Sequence, residues 1–385
     1  MRILYNANMN ISRHYQNLSQ YIRPNKVLVI FGPRQVGKTT LLRDYLKTLD
    51  GKIKYKLESG DNIKTQEIIG SNDFLKIKEY AGGYELIAID EAQKIKNAGA
   101  GLKIMVDEIP GIKIIVTGSS SFELAGQIGE PLTGRKITLT LYPVSQIELS
   151  NLYNSYELKS RLEESMIYGG YPEAAVSDNP AEKKRILNEI VESYLLKDIL
   201  ELEKIKGSKI LLDLLRLLAF QIGNEVSLSE LGRQLGLDYK TVARYLDLFE
   251  KSFIIYSLRG FSRNLRKEIT KKNKYYFLDN GVRNAVIANF NSLELRDDVG
   301  KLWENFAVAE RLKKQSYKSI YANNYFWRTW SQKEVDFIEE REGKLFGYEF
   351  KWKDKAAKAP REWLDAYPEA EFQIINPENY LDFVG

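Results

Sequence analysis

One short stretch near the N-terminus constrains the fold more than any other part of this 385-residue chain. It reads KVLVIFGPRQVGKTTLL from Lys26, and its apolar run Val27–Phe31 has the composition of a buried parallel strand. The loop after that run matches the pattern G-x-x-x-x-G-K-[ST], at Gly32, Gly37, Lys38 and Thr39. Because an apolar-periodic helix follows, the stretch predicts an α/β fold with a phosphate-binding loop; the alternative is a chance glycine-rich turn.

This loop predicts a bound nucleoside triphosphate, with ATP and Mg²⁺ as the expected ligands. Glycines let backbone N–H groups wrap the phosphates, and the helix N-terminus adds a positive dipole. Lys38 is expected to reach the β- and γ-phosphates, and Thr39 is expected to offer its hydroxyl to Mg²⁺. The predicted nucleotide-binding residues are Gly32, Pro33, Arg34, Gln35, Val36, Gly37, Lys38, Thr39 and Thr40.

A second apolar strand, in the stretch YELIAIDEAQKI, ends in two acids. Asp90 stands at its carboxyl end, where open α/β sheets bind ligands, and is predicted to hold Mg²⁺ through water. Glu91 is predicted to polarise the attacking water, so the pair favours hydrolysis over nucleotide storage. An apolar strand ending in Asp-Glu is also common as plain structure, and the preceding loop is what favours the functional interpretation.

A third strand, IKIIVTGSSSFEL, ends in hydroxyl side chains: Thr117, Ser119, Ser120 and Ser121. A polar side chain there would lie between the tips of the first two strands, and Ser119 is predicted to sense the γ-phosphate or the water. Arg135, on a glycine turn before a strand, is a candidate arginine finger for a nucleotide in a neighbouring subunit of a homo-oligomer. The alternative for each serine is a plain strand-ending turn, and the alternative for Arg135 is a structural role at the surface.

Composition excludes several kinds of chemistry. The chain has no cysteine and one histidine, His14, which excludes disulfides, thiolate or His-rich metal sites, and a Ser-His-Asp triad elsewhere in the chain. Charged residues make up 28% and hydrophobic residues 44%, as in an ordinary folded protein, and 385 residues predict two to four domains. The net charge of +5 is too small to prove a nucleic-acid partner.

The N-terminal sequence MRILYNANMNISRHYQ is polar and lacks the apolar core of a signal peptide. No run approaches the roughly 18 apolar residues of a membrane span. A cytoplasmic protein without a membrane partner is therefore expected.

Six motifs, in this order, give the chain a family resemblance: the phosphate loop, the DE-ending strand, TGSSS, GRKITLTLYPVS, YGGYPEA and YLLKDIL. Through essentially its whole length the chain resembles the bacterial and archaeal AAA-type ATPases whose C-terminal domain is nuclease-like and of unassigned function. The resemblance implies a P-loop ATPase with a helical lid, a winged helix and a C-terminal fold similar to PD-(D/E)xK nucleases.

The predicted fold class is α/β, with a P-loop, AAA-type parallel-sheet ATPase core followed by a helical lid, a winged-helix domain and a C-terminal α/β nuclease-like domain. The predicted boundaries of these four parts are 1–150, 151–223, 224–285 and 286–385. In the lid, a helical period places four residues on one stripe: Ile186, Ile190, Tyr194 and Leu195. A further apolar helix closes at Gly223, and Tyr194 and Asp198 match the family pattern without a chemical role.

The stretch VSLSELGRQLGLDYKTVARYLDLFEKSFIIYSL has the proportions of a helix-turn-helix. A short helix begins near Ser229 and a turn follows at Gly236. Asp238 is the N-cap of a second helix from Tyr239 to Glu250. Later strands, FIIYSL and YYFLD, flank a basic stretch and resemble a wing; the alternative is a domain connector with a solvated loop. The residues that could follow phosphates or enter a groove of DNA or RNA are Lys240, Thr241, Arg244, Arg263, Arg266, Lys267, Lys271 and Lys272.

The last hundred residues begin with the amphipathic helix GKLWENFAVAERLKKQ, which carries Glu304. Two predicted strands follow, NYFWRTWSQKEVDFIEE and KLFGYEFKW, linked by a charged turn that ends at Gly343. In the second strand, period two places the aromatic residues on one face and Glu349 with Lys351 on the other. Antiparallel pairing would bring Asp336 within reach of Glu349.

Two carboxylates that converge on a sheet edge can chelate a hard cation, and a lysine two residues on can position water or stabilise phosphate charge. Under the family resemblance, Asp336, Glu349 and Lys351 match a D…ExK catalytic site, and Glu304 is the candidate helix acid. Asp336, Glu349 and Glu304 are then the expected ligands of a second Mg²⁺ or Mn²⁺. Val335 departs from the motif, which has proline there, and spacing alone favours an ordinary charged hairpin.

Two functional interpretations follow. In the first, the core hydrolyses ATP with Lys38, Thr39, Asp90 and Glu91, the winged helix grips DNA or RNA, and the C-terminal site cleaves or merely binds it. In the second, the chain is an ATP-controlled protein-interaction switch with a catalytically silent C-terminal domain. A small-molecule kinase fits the acid pair and the long chain beyond the core poorly. A steep dependence of binding on salt would separate the first two interpretations.

Overall fold

The computed structural model of the protein describes residues 11–119, 131–195, 208–262, 272–329, 331–353 and 358–385. The chain divides into two compact units. The smaller unit comprises Arg13–Tyr142 and Lys251–Phe253, and the larger unit comprises Met1–Ser12, Pro143–Glu250 and Ile254–Gly385. The predicted ATPase core overlaps the smaller unit, whereas most of the three later predicted parts falls in the larger unit. The four boundaries remain predictions.

A parallel sheet forms the centre of the smaller unit. Its strands are β1 (Lys26–Phe31), β2 (Tyr55–Ser59), β3 (Leu86–Asp90), β4 (Lys113–Gly118) and β5 (Lys136–Thr140). Its α-helices are α1 (Lys38–Lys47), α2 (Ile63–Gly70), α3 (Phe74–Ala81) and α4 (Ala98–Glu108). The strand order is β2-β3-β4-β1-β5 and every pairing is parallel, which confirms the expected α/β core.

The strands β1, β3 and β4 are apolar because their side chains are covered on both faces of the sheet. Val27 and Val29 of β1 pack in one core with Ile87 of β3 and Ile114 of β4. Since parallel strands end at the same edge, the loop after β1, the acids after β3 and the hydroxyls after β4 meet there. As expected from sequence, β4 lies between β1 and β3.

The larger unit is rich in helices. They are α5 (Gln146–Leu149), α6 (Ser155–Ser160), α7 (Leu162–Tyr168), α8 (Pro172–Val176), α9 (Pro180–Glu189), which continues as the π-helical turn Ile190–Tyr194, α10 (Ser208–Phe220), α11 (Leu228–Leu235), α12 (Tyr239–Lys251), α13 (Asn280–Val286), α14 (Val299–Tyr317), α15 (Arg361–Ala366) and α16 (Tyr380–Val384). Within the described part of the chain, no helix is long and apolar enough to cross a membrane.

One seven-stranded sheet runs through the larger unit. Its strands are β6 (Glu225–Val226), β7 (Ile255–Gly260), β8 (Asn273–Phe277), β9 (Asn323–Arg328), β10 (Glu334–Arg341), β11 (Lys344–Phe350) and β12 (Glu371–Ile375), in the order β12-β11-β10-β9-β7-β8-β6. β7 pairs in parallel with β9, with Arg259 opposite Tyr325. The strands after the helix-turn-helix and those of the C-terminal region therefore share one hydrogen-bonded sheet.

The stretch NYFWRTWSQKEVDFIEE is two strands and not the single strand that the sequence predicted. β9 and β10 pair antiparallel with each other, and a turn separates them. In that turn the N–H of Gln332 donates to the carbonyl of Thr329 at 3.1 Å, and Gln332 has a left-handed φ of +65°. This backbone reversal ends β9, which periodicity of apolar residues alone did not reveal.

Buried polar side chains fix α13 and α14 in the larger unit. Asn305 of α14 bonds to both the N–H (2.8 Å) and the carbonyl (2.9 Å) of Phe277 in β8. Asn284 of α13 donates to the carbonyl of Ile167 in α7 at 2.8 Å. Because a buried amide is costly unless it is hydrogen-bonded, these contacts specify how the helices pack against β8 and α7.

Candidate functional site

The glycine-rich loop between β1 and α1 has a backbone that suits glycine. Gly32 and Gly37 have φ values of +152° and +92°. A Cβ on Gly32 would also lie 2.1 Å from the carbonyl oxygen of Leu141. A side chain at Gly32 is therefore excluded by both conformation and space. All nine residues predicted to bind nucleotide lie in this loop and in the first turn of α1.

Lys38 and Thr39 begin α1 with their functional groups already placed. The buried Nζ of Lys38 donates to the carbonyls of Gly32 and Pro33, each at 2.8 Å, so its ammonium lies over the loop. Thr39 Oγ1 donates to Asp90 Oδ2 at 2.8 Å. A hydroxyl and a carboxylate in contact are a ligand pair suited to Mg²⁺, which prefers oxygen and keeps several waters.

Thr117, in β4, joins the two acids at the end of β3. Its hydroxyl donates to Asp90 Oδ1 at 2.5 Å and accepts the N–H of Glu91 at 3.0 Å. Glu91 has a left-handed φ of +54°, which costs energy in a residue that carries a Cβ. The hydrogen bond from its N–H to Thr117 helps to hold Glu91 in that conformation.

Gln93 is a polar residue of this site that sequence analysis did not single out. Its side-chain amide donates to Glu91 Oε2 and, at 3.1 Å, to Ser119 Oγ. Its own Oε1 is buried and has no hydrogen-bond partner among the described residues. The structure therefore brings the predicted Glu91 and Ser119 to the same amide, which leaves one acceptor for a water molecule.

Arg13 is a second residue of this site that no sequence motif indicated. Its guanidinium donates to the carbonyl of Val36, within the loop, and to the carbonyl of Tyr142 at 2.6 Å. It lies 3.5 Å from the point where a Cβ on Gly37 would be. Arg13 thus ties the glycine-rich loop to the segment that follows β5.

Arg135 precedes β5, as predicted, and lies at the opposite end of the sheet from the loop. Its carbonyl accepts the N–H of Val27, at the start of β1, at 2.8 Å. Its side chain is 41% exposed and donates to Asp107 Oδ1 at 2.7 Å. The length of β1, six residues or roughly 20 Å, separates Arg135 from the loop in its own chain. A role as an arginine finger therefore requires a second subunit.

The helix-turn-helix segment has the predicted bounds within a residue or two. α11 ends at Gly236, whose φ is +67°, and Asp238 accepts the N–H of Thr241 at 3.0 Å as the N-cap of α12. The Thr241 hydroxyl also donates to Asp238, so it is engaged in the cap. Lys240 and Arg244 are exposed on α12, and Lys272 is exposed before β8.

Several predicted residues lie outside the described part of the chain: Ser120, Ser121, Asp198, Arg263, Arg266, Lys267 and Lys271. The side chain of Tyr194 lies outside it as well. The other members of the predicted helical stripe, Ile186, Ile190 and Leu195, are buried.

β10 and β11 form the predicted antiparallel hairpin, closed at Glu342 and Gly343. The register of β10 against β9 shifts between Val335 and Ile338, so Asp336 stands at a β-bulge. Bulges reorient side chains, and here Asp336 Oδ2 accepts the N–H of Phe350 at 2.9 Å. Val335, where the motif has proline, is fully buried in an apolar cluster with Trp363.

Asp336, Glu349 and Lys351 lie together at the carboxyl end of β11. Lys351 Nζ donates to Glu349 Oε1 at 2.6 Å, and Glu349 Oε2 is buried without a hydrogen-bond partner among the described residues. Burial, together with the negative charges of Glu304 and Glu349, raises the pKa of Asp336 to about 8. This excess of negative charge and the unpartnered oxygen fit a divalent cation.

Glu304, on α14, is engaged by other side chains of the protein. Its Oε1 accepts the hydroxyl of Tyr276 at 2.7 Å, and its Oε2 accepts Lys301 Nζ at 3.1 Å. Lys274 Nζ lies 3.6 Å from Oε1. Among the residues that the structure describes, no three His, Asp or Glu side chains are grouped so as to hold a metal ion. Asp336 and Glu349 are thus the two acids of this cluster best placed for one.

An open cleft of about 1050 Å³ leads to this cluster. Asp336, Glu304 and Lys351 line it, together with the basic residues Lys301 and Lys353. A polyanion that enters the cleft would therefore meet lysines beside the carboxylates.

Three family models match the chain in succession. Residues 24–150 match an AAA domain. Residues 159–293 match a domain of unknown function (DUF8612), and residues 299–380 match another (DUF4143). With the parallel sheet and its glycine-rich loop, the first match identifies the core as that of a P-loop ATPase, and the matches together support an AAA-type ATPase family.

The chain is similar over most of its length to proteins described as uncharacterized. A protein of Haemophilus influenzae is 25% identical over 370 residues, covering 87% of this chain and 84% of the relative. One of Mycobacterium tuberculosis is 28% identical over 334 residues (84% and 70%), and one of Methanocaldococcus jannaschii is 27% identical over 335 residues (82% and 72%). Among solved structures, Drosophila ORC bound to DNA matches at 13% identity with a TM-score of 0.25, covering 70% of this chain and 91% of that chain.

Proposed function

We propose that the protein is a Mg²⁺-dependent ATP hydrolase that couples ATP binding and hydrolysis to the binding of DNA or RNA. The observation that supports this most is the contact of Thr39 with Asp90 at 2.8 Å, beside the ammonium of Lys38. It brings a hydroxyl, a carboxylate and a cation to one edge of the sheet. An ATP-binding, ATPase-type core is what the AAA-domain match implies.

In the proposed hydrolysis each residue has one task. Lys38 exchanges the carbonyls of Gly32 and Pro33 for the β- and γ-phosphates. Thr39 and Asp90 would hold Mg²⁺, which supplies positive charge to the phosphates when it is bound. Glu91 orients the attacking water and accepts its proton. The amide of Gln93, between Glu91 and Ser119, holds the Glu91 carboxylate in place.

Nucleic acid is the proposed macromolecular partner because the larger unit exposes basic residues on a helix-turn-helix. We assign the segment from β6 to β8 as a winged helix, in which α12 is the second helix of the motif. Lys240 and Arg244 are exposed on α12, where they can contact phosphates or base edges. Oligomerisation, which Arg135 would need in order to act on a nucleotide, belongs to the same proposal.

The C-terminal cluster is the proposed site for a second divalent cation and for cleavage of the bound strand. Asp336 and Glu349 would hold the ion, which would activate water and stabilise charge on the phosphate. Lys351 is 35% exposed beside Glu349 and can donate to a phosphate oxygen. In the PD-(D/E)xK scheme Glu304 would be a further ligand, but its contacts with Tyr276 and Lys301 oppose that role.

Those contacts of Glu304 favour a second candidate function. With both oxygens of Glu304 engaged, the C-terminal region would be catalytically silent and would serve as a docking module. ATP would then control a protein interaction, and turnover would be slow and indifferent to DNA.

The two candidates are separated by one set of reactions. ATP turnover is measured with and without duplex and single-stranded DNA, and the same reactions are analysed for cut strands in Mg²⁺ and in Mn²⁺. Lys38→Ala and Lys351→Ala are the matched variants for the two sites. The proposal requires turnover that DNA stimulates and that Lys38→Ala abolishes, with any cleavage lost in Lys351→Ala. Turnover that ignores DNA, with strands intact, supports the docking module instead.

A further inference from the structure

Lys274 is a buried lysine at the centre of the C-terminal acid cluster. It belongs to β8, and its side chain is 0% exposed. Its Nζ lies 3.6 Å from Glu304 Oε1 and donates to Glu334 Oε1. No family motif points to this residue, because β8 precedes the C-terminal strands by nearly fifty residues and reaches them only through the shared sheet.

The ammonium of Lys274 is paired with acidic neighbours. A buried charge is costly away from water unless an opposite charge lies close to it. Here Glu334 accepts a hydrogen bond from Nζ, and the carboxylate of Glu304 lies 3.6 Å away. The ring of Phe326, 5.1 Å from Nζ, adds a further favourable contact for a cation.

Lys274 differs from Lys351 in what it can reach. Lys351 lines the open cleft and is partly exposed, so it can meet a phosphate. Lys274 is sealed from solvent and can act only on the acids around it. Lys274 is therefore a positioning residue. Its positive charge occupies the place beside Glu304 that the charge of a bound metal ion would take.

We infer that Lys274 is a built-in cation of the C-terminal cluster that competes with a divalent cation for Glu304. Together with Tyr276 and Lys301, which also engage Glu304, it leaves Asp336 and Glu349 as the acids that the proposed site offers to an ion. The inference deepens the proposed metal site and rests on it. An ion chain from Lys274 through Glu334 to Arg328, and from Arg328 to Glu225 of β6, connects this cation to the helix-turn-helix side of the sheet.

Manganese binding to the full chain without nucleotide tests this competition, measured by the electron paramagnetic resonance of free Mn²⁺. The main variant is the double substitution Lys274→Met with Glu334→Gln, which removes one positive and one negative charge and so preserves the local balance. Lys274→Gln, which retains a donor, is the second variant, and circular dichroism confirms that each is folded. Asp336→Asn in each background identifies binding that depends on the cluster.

The expected result is Mn²⁺ binding at least about tenfold tighter, or one further ion, in the Lys274 variants than in wild type, because the ammonium 3.6 Å from Glu304 Oε1 no longer competes for that carboxylate. That gain must vanish when Asp336→Asn is added. If wild type binds Mn²⁺ through Asp336 and the Lys274 variants bind it equally well, the competition is refuted while the metal site stands. If neither wild type nor the variants bind Mn²⁺ through Asp336, the proposed metal site and the competition both fail.

Discussion

Thr39 Oγ1 donates to Asp90 Oδ2 at 2.8 Å, which joins the first turn of α1 to the end of β3. Asp90 also accepts from Thr117 at 2.5 Å, so three elements of the smaller unit meet at one carboxylate. Ligand groups that are held in place in advance lose little entropy when an ion binds. In the proposed ATPase, these contacts would hold Thr39 and Asp90 in place for Mg²⁺ before the ion binds.

Glu91→Gln should separate nucleotide binding from hydrolysis. The variant keeps the size of the side chain but cannot accept a proton, so turnover should fall by about 10²- to 10⁴-fold. Binding of a fluorescent ATP analogue should change little, because Lys38 and Thr39 remain. Glu67→Gln, an exposed acid on α2, is the control. Wild-type turnover in Glu91→Gln would exclude Glu91 as the base.

Arg13→Ala should weaken ATP binding more than it slows turnover. The guanidinium links Val36 in the loop to Tyr142, and hydrogen bonds from a charged group contribute about 1.5–3 kcal/mol, so KM should rise about tenfold. Arg13→Lys should restore little of the lost ATP binding, since one ammonium does not reproduce the planar guanidinium that reaches both carbonyls. Arg23→Ala is the matched control, because Arg23 bonds to the adjacent carbonyl of Ile22. Equal KM values in the Arg13 and Arg23 variants would contradict this role.

Asp336→Asn should change how stability depends on pH. The raised pKa of about 8 means that folded protein binds this proton more tightly than unfolded chain, whose pKa is near 3.8. Stability from this group is therefore lost as pH rises from about 4 to about 8, by at most about 1.4 kcal/mol per pH unit. The thermal midpoint of Asp336→Asn should rise relative to wild type between pH 5 and pH 8. If the thermal midpoints of wild type and Asp336→Asn change with pH in the same way, the raised pKa of Asp336 is refuted.

Lys240→Ala and Arg244→Ala should weaken nucleic-acid binding through lost phosphate contacts. Each substitution should reduce the slope of log Kd against log salt by about 1. Binding curves at several salt concentrations measure this, with Lys47→Ala, an exposed lysine on α1, as the control. An unchanged slope in the double variant would place the nucleic-acid contacts elsewhere.

Gly169→Ala should destabilise the larger unit. Gly169, in the YGGYPEA motif, has a φ of +67°, and a Cβ there would lie 2.2 Å from a carboxylate oxygen of Asp279. That carboxylate is fixed by the N–H groups of Gly170 and Val282 and cannot withdraw without losing hydrogen bonds. Gly51→Ala has a similar φ, +73°, with no described atom within 4 Å of its Cβ, so it carries the backbone strain of about 1–2 kcal/mol alone. Equal thermal midpoints for the two variants would contradict the predicted clash.

The ATPase core could be predicted from sequence because its chemistry is local. The loop and its helix are contiguous, and Asp90 directly ends an apolar strand. Asp238 could be predicted as a cap for the same reason, since the N–H that it accepts is three residues away. Local patterns of this kind can be recognised without knowing which strands pair.

Arg13 and Lys274 could not be predicted because their partners are distant in sequence. Arg13 contacts a carbonyl 23 residues away, and Lys274 contacts a carboxylate 60 residues away. Both contacts depend on sheet order and strand register, which no local spacing encodes. The single strand predicted across Thr329 was wrong for a related reason. The turn that interrupts it depends on the left-handed backbone of Gln332, which the spacing of apolar residues does not reveal.

The rate of ATP turnover with and without DNA shows whether hydrolysis is coupled to nucleic-acid binding. Wild-type protein should hydrolyse ATP in Mg²⁺, and duplex or single-stranded DNA should raise the rate; Lys240→Ala with Arg244→Ala should remove the rise but keep the basal rate. Lys38→Ala should abolish both. A wild-type rate that DNA leaves unchanged at low and at moderate salt would contradict coupling to nucleic acid and support the ATP-controlled docking module.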